Sequence, residues 1–258
     1  SGFTTASPSV TQAGMNGPYS LAYSTTTGML YVGQFNTGRI TVYNIGDGIT
    51  NGENAVAVLG QANFTANQTA SVGASTTASV NGLAVDNANN RLFTVDGSKN
   101  RVLVFDVSSI SNGEDAVSVL GQTSFTTSTT TATQNGLYGP TGVEYDQKSS
   151  RLFVTDSSNA RIVVYNVATA TSGEKAINVL GQNNFTSWFG GSSIILVQLL
   201  QSTVKFPTDV VYDSDNELLY VSQMASGGGN RISIFNAGPD TTAPTLTTAT
   251  TSTDGTNV

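Results

Sequence analysis

The feature that most constrains the fold is a segment that occurs four times along the chain. The third copy, at residues 141–166, reads TGVEYDQKSSRLFVTDSSNARIVVYN, and the others lie at residues 20–44, 81–106 and 208–236. An arginine recurs in each copy, with spacings of 62, 60 and 70 residues, which are too long for helical solenoids or leucine-rich repeats. A segment repeated in this way predicts one structural unit that packs against its own copies.

Each copy contains short apolar runs that are separated by turn residues. In the third copy the runs lie at residues 142–145, 151–155 and 161–165, and a fourth run, AINVLGQ, follows at residues 176–182. Tight-turn residues such as Asn112-Gly113 precede the fourth run, and such pairs supply the positive φ of a hairpin. Four short strands rich in Val, Ile, Tyr and Phe predict the four-stranded blade of a β-propeller.

The expected fold is therefore all-β, with four blades that form either a closed ring or part of a larger, six-bladed ring. The predicted blades lie around residues 17–61, 80–122, 139–182 and 206–237. Third strands should alternate with period two, and both sheet faces are apolar, as expected when neighbouring blades cover both sides.

The blade sequence resembles that of NHL-type β-propellers. The stretch at residues 85–105 carries the Asp, Leu-Phe-Thr-Val-Asp and Asn-Arg-Val-Leu-Val-Phe elements, and residues 143–165 match in the same way. The Val-Leu-Gly-Gln-x-x-Phe element is similar to the outer strand of such blades in large bacterial surface proteins. The resemblance covers nearly all of residues 3–236. It implies the propeller fold, which hosts binding modules and a few enzymes alike.

The two ends of the chain predict an incomplete last blade. Residues 1–5 match the residues that follow a fourth strand in other copies, and the fourth copy stops after Asn236 without a Val-Leu-Gly-Gln run. We expect a propeller at residues 1–238 whose last blade takes its outer strand from elsewhere, in a fragment or processed form of a longer polypeptide. Residues 239–258 form a Thr-rich tail that resembles the entrance to a bacterial immunoglobulin-like domain.

Composition excludes several kinds of chemistry. The chain contains neither cysteine nor histidine, so it has no disulfides, no Ser-His-Asp or Cys-His nucleophile system, and no histidine-based zinc site. Charged residues make up only 10%, and Ser, Thr, Asn and Gly replace them. That composition is typical of secreted bacterial proteins and predicts an extracellular or cell-surface location.

Charge and hydropathy exclude two classes of partner. The net charge is −7, and most of the 10 basic residues belong to the repeat framework, so the chain lacks the basic surface that nucleic acid requires. No apolar run is long enough for membrane insertion. The expected partners are protein or glycan, with self-assembly through an edge strand or the C-terminal tail as a further hypothesis.

Three oxygen-bearing residues on inner strands are candidate metal ligands: Asn81, Glu144 and Asp209. Propeller lactonases hold Ca²⁺ at the centre of the ring with such residues, so a calcium site here is one hypothesis. Glu144 is the strongest candidate because its counterparts are Ala22, Ala84 and Val211. A solvated carboxylate that lines the channel is the alternative reading of Glu144. No other cofactor is expected.

Recurrent charged residues are predicted to be framework, because they return at fixed blade positions. They are Asp86, Asp146 and Asp213 at one position, Asp96 and Asp156 at a second, and Arg39, Arg101, Arg161 and Arg231 at a third. We expect the aspartates to cap turns or bind backbone N–H groups, and the arginines to tie blades together.

Two further features are candidate sites. The connector after the third copy contains an apolar patch that either packs on the propeller or docks a partner: Trp188, Phe189, Ile194, Ile195 and Leu196. Asn-x-Thr sequons at Asn63, Asn67 and Asn184 permit glycosylation in a suitable host.

These features together favour a non-catalytic extracellular β-propeller that serves as a scaffold or binding module of a larger surface or secreted protein. The alternative is a calcium-dependent hydrolase or lactonase that acts through Glu144.

Overall fold

The computed structural model describes residues 7–67, 70–187, 204–224 and 230–238, together with the backbone of a strand at residues 246–250. The first sheet contains β1 (Pro18–Tyr23), β2 (Met29–Gln34), β3 (Arg39–Asn44) and β4 (Ala57–Leu59). The second contains β5 (Val80–Asp86), β6 (Arg91–Asp96), β7 (Arg101–Asp106) and β8 (Ser118–Leu120). The third contains β9 (Pro140–Asp146), β10 (Arg151–Asp156), β11 (Arg161–Asn166) and β12 (Asn178–Leu180). The fourth contains β13 (Pro207–Asp213), β14 (Leu218–Gln223), β15 (Arg231–Asn236) and β16 (Leu246–Thr250).

Each sheet is an antiparallel meander whose strands pair in chain order, which confirms the predicted blade. The hairpin before each of the first three outer strands turns at a glycine with positive φ, namely Gly52, Gly113 and Gly173. The innermost strands lie side by side along the arc, β1 against β5, β5 against β9, and β9 against β13. Four blades therefore follow one another around a common axis.

Each blade has a front face, turned to the preceding blade, and a back face, turned to the following blade. Side chains alternate between the two faces along every strand. Between the first and second blades, Ile40 and Val42 of the first back face pack on Leu83, Leu92 and Phe105 of the second front face. The next two junctions are built in the same way, so the core of the protein lies between the sheets.

The fourth blade differs from the sequence expectation. We expected it to lack an outer strand of its own, but β16 pairs antiparallel with β15 and completes the sheet. The segment Leu-Thr-Thr-Ala-Thr carries no Val-Leu-Gly-Gln motif, so its strand was not recognisable from the repeat. Backbone pairing explains the difference, because an outer strand needs only a β-prone segment of suitable length beside a free edge. The predicted domain limits remain a prediction.

In the first three blades the buried arginines bind the connectors around their own blade, whereas we expected them to tie neighbouring blades together. The side chains of Arg39, Arg101 and Arg161 are fully buried. Each donates a hydrogen bond to the carbonyl oxygen of the phenylalanine in its own Val-Leu-Gly-Gln-x-x-Phe element; these are Phe64, Phe125 and Phe185. Since a buried guanidinium needs partners for its donors, this bond to a backbone carbonyl fixes the connector against the arginine.

The partner of the buried arginine divides the blades into two pairs. In the second blade Arg101 forms an ion pair with Asp96 at 3.0 Å, and in the third Arg161 pairs with Asp156 at 2.7 Å. In the first blade Gln34 takes the place of the aspartate, and its Oε1 accepts from Arg39 Nε at 2.9 Å. The fourth blade likewise has glutamine, Gln223, at this position.

Aspartates at the first hairpin cap its turn, as expected. Asp86 Oδ1 accepts from the backbone N–H groups of Ala88 and Asn89, and Asp213 Oδ1 does the same for Asp215 and Asn216. Asp86 also pairs with Arg91 at 2.6 Å. The hydrogen bonds of Asn89 and Arg91 hold the pKa of Asp86 below its usual value against the opposing effect of burial.

In the first two blades, the glutamine of the outer-strand motif binds the next connector. Gln122 Nε2 donates to the carbonyl oxygens of Asn100 and Thr129, at 2.9 and 2.8 Å. Gly121 has a φ of 80°, and a Cβ there would lie 2.3 Å from Leu137 Cδ1. Glycine is required at this position by both backbone conformation and close approach.

Candidate binding surface

Large apolar side chains are exposed along one rim of the arc, which we call the aromatic rim. Its members are Tyr19, Phe35, Tyr138, Phe206 and Met224, each 40 to 67% exposed. They lie where first strands begin or second strands end, and antiparallel pairing brings these points to one edge. Backbone bonds join the two sides of the edge, from Phe35 N to Gly17 O at 2.8 Å and from Met224 N to Phe206 O at 3.2 Å.

The rim residues depart from the repeat. The residue that follows the second strand is Gly97 in the second blade and Ser157 in the third, but Phe35 in the first and Met224 in the fourth. The residue before the first strand is Gly139 in the third blade and Phe206 in the fourth. This rim was not predicted from the sequence, although an alignment of the four copies shows Phe35, Phe206 and Met224 as departures from the repeat.

A depression of about 290 Å³ lies beside Tyr138 on this rim. Its lining residues are Thr130, Thr131, Ala132, Tyr138 and Asn159. The Asn159 amide is already used, since it donates to Thr131 O at 3.1 Å and to Asp156 Oδ2 at 2.8 Å. The depression thus offers hydroxyl groups and one aromatic ring, and its size suits a single inserted side chain.

The structure brings two of the three predicted metal ligands together. Glu144 lies on β9 at the junction with the fourth blade, where the backbone N–H of Tyr212 donates to it, and Asp209 lies on the neighbouring strand β13. Burial, and then the negative charge of Asp209, raise the pKa of Glu144 to about 7. Burial also raises the pKa of Asp209. This pair can bind a proton near neutral pH.

Asn81 takes part in a different contact. Its Oδ1 accepts from the Ser79 hydroxyl at 3.0 Å. Within the described ranges, no three acidic side chains are grouped closely enough to hold a metal ion. Calcium takes six to eight oxygen ligands, and two carboxyl groups supply too few of them. The calcium site therefore remains a prediction that these contacts do not support further.

The remaining predicted sites have mixed outcomes. The apolar patch of Trp188, Phe189, Ile194, Ile195 and Leu196 lies outside the described residues. Asn63 and Asn184 are exposed, and each Oδ1 accepts backbone N–H groups two and three residues later. This Asx turn accounts for the recurrence of asparagine there. Asn67 is also exposed, and glycosylation at all three remains a prediction.

Both ends of the arc expose apolar side chains, although Val32 and Tyr43 on the front face of the first blade are buried in a cluster with Ala55. On the front face of the first blade, Leu21 is 65% exposed and Tyr23 is 44% exposed. On the back face of the fourth blade, Val211 is 59% exposed and Ile232 is 44% exposed. At the internal junctions the equivalent residues are covered by the adjacent blade. Both ends of the arc are therefore open in the part of the chain that the structure describes.

Comparison with solved structures confirms the β-propeller fold. A chain in the crystal structure of the mitotic checkpoint complex matches with a TM-score of 0.54 and 14% identity, over 89% of this chain and 52% of that chain. A chain in the nidogen/laminin complex matches with a TM-score of 0.53 and 16% identity, over 85% of this chain and 60% of that chain. The structure of U3-55K matches with a TM-score of 0.53 and 12% identity, over 86% of this chain and 49% of that chain. At such identities the likeness establishes the fold alone.

This chain spans about half the length of the propeller chains that it matches. No protein-family model matches it, and no curated protein matches its sequence. In the described part of the chain, no helix has the length and apolar character to cross a bilayer.

Proposed function

We propose that the chain is a non-catalytic, NHL-type β-propeller module of an extracellular or cell-surface protein, and that it binds a protein partner through the aromatic rim. The observation that carries this proposal is the contrast between its charged and apolar residues. The recurrent aspartates and arginines are engaged in the framework, whereas five large apolar side chains are exposed along one rim. Aromatic residues and methionine are enriched at the centres of protein interfaces.

Further observations support a protein ligand over a glycan. The rim carries no charged member, and the depression beside Tyr138 is large enough for one anchoring side chain. Similar solved structures include chains of named protein complexes, the mitotic checkpoint and nidogen/laminin complexes. The low charge content and the resemblance to NHL-type blades of bacterial surface proteins support the proposed location, as does a tail that resembles the start of an immunoglobulin-like domain.

A photo-crosslinking experiment on intact cells tests the proposal. A benzoylphenylalanine at position 138 is expected to give one defined protein adduct, and the same group at position 117, just before the outer strand β8, is not. Excess wild-type chain should compete for the adduct, whereas a Phe35→Ser, Met224→Ser chain should not. Identical adducts at both positions, or no labelling of the protein by a membrane-impermeant reagent, would overturn the proposal. If the chain binds to a glycan array and gives no protein adduct, the proposal of a protein ligand is overturned.

A second candidate function rests on the Glu144 and Asp209 pair. A carboxyl group with a pKa of about 7 can transfer protons near neutral pH, which is the property of a general acid or base in a hydrolase. Activity against lactone or ester substrates that Glu144→Gln abolishes would support this candidate. Calorimetry with calcium on the wild type and this variant tests the predicted metal requirement separately.

A further inference from the structure

Charged residues are divided unevenly between the two edges of the sheets. The rim edge, at which first and third strands begin and second and fourth strands end, contains the aromatic rim, and the far edge lies at the other end of the strands. In the described strand ends and connectors of the rim edge, the basic residues are Arg39, Lys99, Arg101, Arg161, Lys205 and Arg231, and the acidic residues are Asp96 and Asp156. The rim edge is therefore basic, on a chain whose net charge is −7.

The two carboxylates of the rim edge do not reach its surface. The side chains of Asp96 and Asp156 are fully buried, and they form ion pairs with Arg101 and Arg161. Further inward along the described strands, the next carboxylate is that of Asp209, which lies two residues inside β13 on the fourth blade. At the rim edge of the second and third blades, the described residues thus expose no carboxylate.

The far edge is acidic, in the turns that follow first and third strands. In the second blade it has one basic residue, Arg91, and four acidic residues: Asp86, Asp106, Glu114 and Asp115. Strands of six or seven residues hold the two edges about 20 Å apart, whereas about 0.15 M salt screens exposed charges beyond about 8 Å. The charge that a partner meets at the rim edge is therefore set by the residues of that edge and not by the net charge.

Lys99 supplies positive charge at the surface beside Tyr138. It ends a short 3₁₀ turn, and the next residue, Asn100, accepts a hydrogen bond from Gly139 N through Oδ1 at 2.8 Å. Because Gly139 directly follows Tyr138, this bond joins the two loops. Lys99 Nζ donates to Ala70 O at 3.2 Å. An ammonium group has three N–H donors, so this bond leaves two of them for a ligand.

Lys99 departs from the residues at the same blade position. Its counterparts are Thr37 in the first blade and Asn159 in the third. Both are buried, and each donates a hydrogen bond within its own blade, Thr37 to Gln34 and Asn159 to Asp156. A short neutral side chain therefore meets the needs of the framework at this position, and the charge of Lys99 is an addition to it.

We propose that the protein partner of the aromatic rim presents an acidic segment, in which an apolar side chain enters the depression beside Tyr138 and a carboxylate accepts a hydrogen bond from Lys99. The inference rests on the proposed function and adds the chemical class of the partner. Apolar contact at the centre of an interface supplies affinity, and complementary charge around it selects and orients the partner. A basic segment would instead be attracted to the far edge.

Fluorescence anisotropy with labelled peptides tests the inference on the full chain. The probes are three peptides of one length, in which a central tryptophan is flanked by four Glu, four Gln or four Lys residues. The Glu peptide should bind at least about five-fold more tightly than the Gln peptide, and the Lys peptide should bind most weakly. Raising the salt concentration from about 0.05 to 0.5 M should reduce these differences, because exposed charges are screened. Equal binding of the three peptides would overturn the inference.

A charge reversal at each edge locates the preference. Lys99→Glu should abolish the preference for the Glu peptide, whereas Lys175→Glu should keep it. The two changes alter the net charge equally, and Lys175 is exposed at the far edge, so Lys175→Glu is the matched control. Binding of the Gln peptide by both variants reports whether the rim is intact. Equal loss of the preference in both variants would show that net charge decides it and would overturn the role of Lys99.

The crosslink from position 138 separates this inference from the proposed function. If the adduct forms equally well in the wild type and in the Lys99→Glu chain, the rim binds a protein of other chemistry, and only the acidic segment is overturned. If the wild type gives no adduct, the proposed function itself fails. An adduct that is lost with Lys99→Glu and retained with Lys175→Glu supports both.

Discussion

Leu21 and Leu83 occupy the same position in two successive blades, yet Leu21 is exposed and Leu83 is buried. The same holds at the other end of the arc, where Ile232 is exposed and its counterpart Ile162 is buried. The residue types at the internal junctions and at the open ends are alike, so the difference comes from the neighbour and not from the sequence of the blade. A repeat unit of this kind is built to be covered on both sides.

Replacing the same position at an internal junction and at an open end should give the largest contrast. Val143→Asp places a charge between the second and third blades and should cost on the order of 4 kcal/mol or more, enough to unfold the chain. Leu21→Asp should cost less than about 1 kcal/mol in the monomer, because its side chain is already in water. Chemical denaturation followed by circular dichroism measures both. Equal costs would show that the front face of the first blade is covered within the chain.

The arginine partners give the next contrast, between the middle and terminal blades. Asp96→Ala leaves the buried Arg101 without its carboxylate and should cost about 3–5 kcal/mol. Gln34→Ala removes a neutral acceptor from Arg39 and should cost about 1–3 kcal/mol. Denaturation midpoints of the two variants decide the order. A larger loss for Gln34→Ala would refute the view that the terminal blades depend less on charge.

Glu144 and Val211 occupy the same blade position, but Glu144 lies at an internal junction and Val211 is exposed at the end of the arc. With a folded-state pKa of about 7 against 4.5, Glu144 binds its proton more tightly in the folded chain. Stability from this group is therefore lost as the pH rises from about 4.5 to 7, by on the order of 1–3 kcal/mol. Glu144→Gln should stabilise the chain at pH 8 and much less at pH 5. An equal effect at both pH values would contradict the raised pKa.

The smallest effect is expected at an exposed contact between the third and fourth blades. Lys148 Nζ lies 2.8 Å from Asp215 Oδ1, but both side chains are mostly in water. Lys148→Ala should leave the unfolding midpoint unchanged within error, because exposed ion pairs contribute little. The contrasting change is Arg151→Met, which removes bonds to the Tyr212 hydroxyl and to Ala237 O across the same junction, together with an ion pair to Asp146, and should lower the midpoint. A similar loss for both would mean that surface charge holds these blades together.

Much of the fold could be predicted because the residues at each blade position recur several times in the sequence. Arg101 and Arg161 recur with the aspartates that bind them, so their framework role was readable from spacing alone. The strand β16 was not, because its segment shares no motif with the other outer strands. Backbone hydrogen bonds do not depend on side-chain identity, and so such a strand leaves little trace in the sequence.

The candidate sites were harder to predict than the fold. Glu144 was recognisable as an exception to its blade position, but its contact with Asp209 depends on how neighbouring inner strands lie. The exposure of Leu21 could not be predicted from the sequence, because buried front faces carry the same kind of residue at this position. The rim residues Phe35 and Met224 were visible as departures from small polar counterparts, and only the structure places them on one edge.

Hydroxyl-radical footprinting of Tyr23 against Tyr145 tests the central claim most directly. The two tyrosines occupy the same position in the first and third blades, and they are 44 and 7% exposed. At a dilution where the chain is monomeric, the open arc predicts rapid modification of Tyr23 and protection of Tyr145. Equal protection of both tyrosines at that dilution would contradict an exposed front face on the first blade.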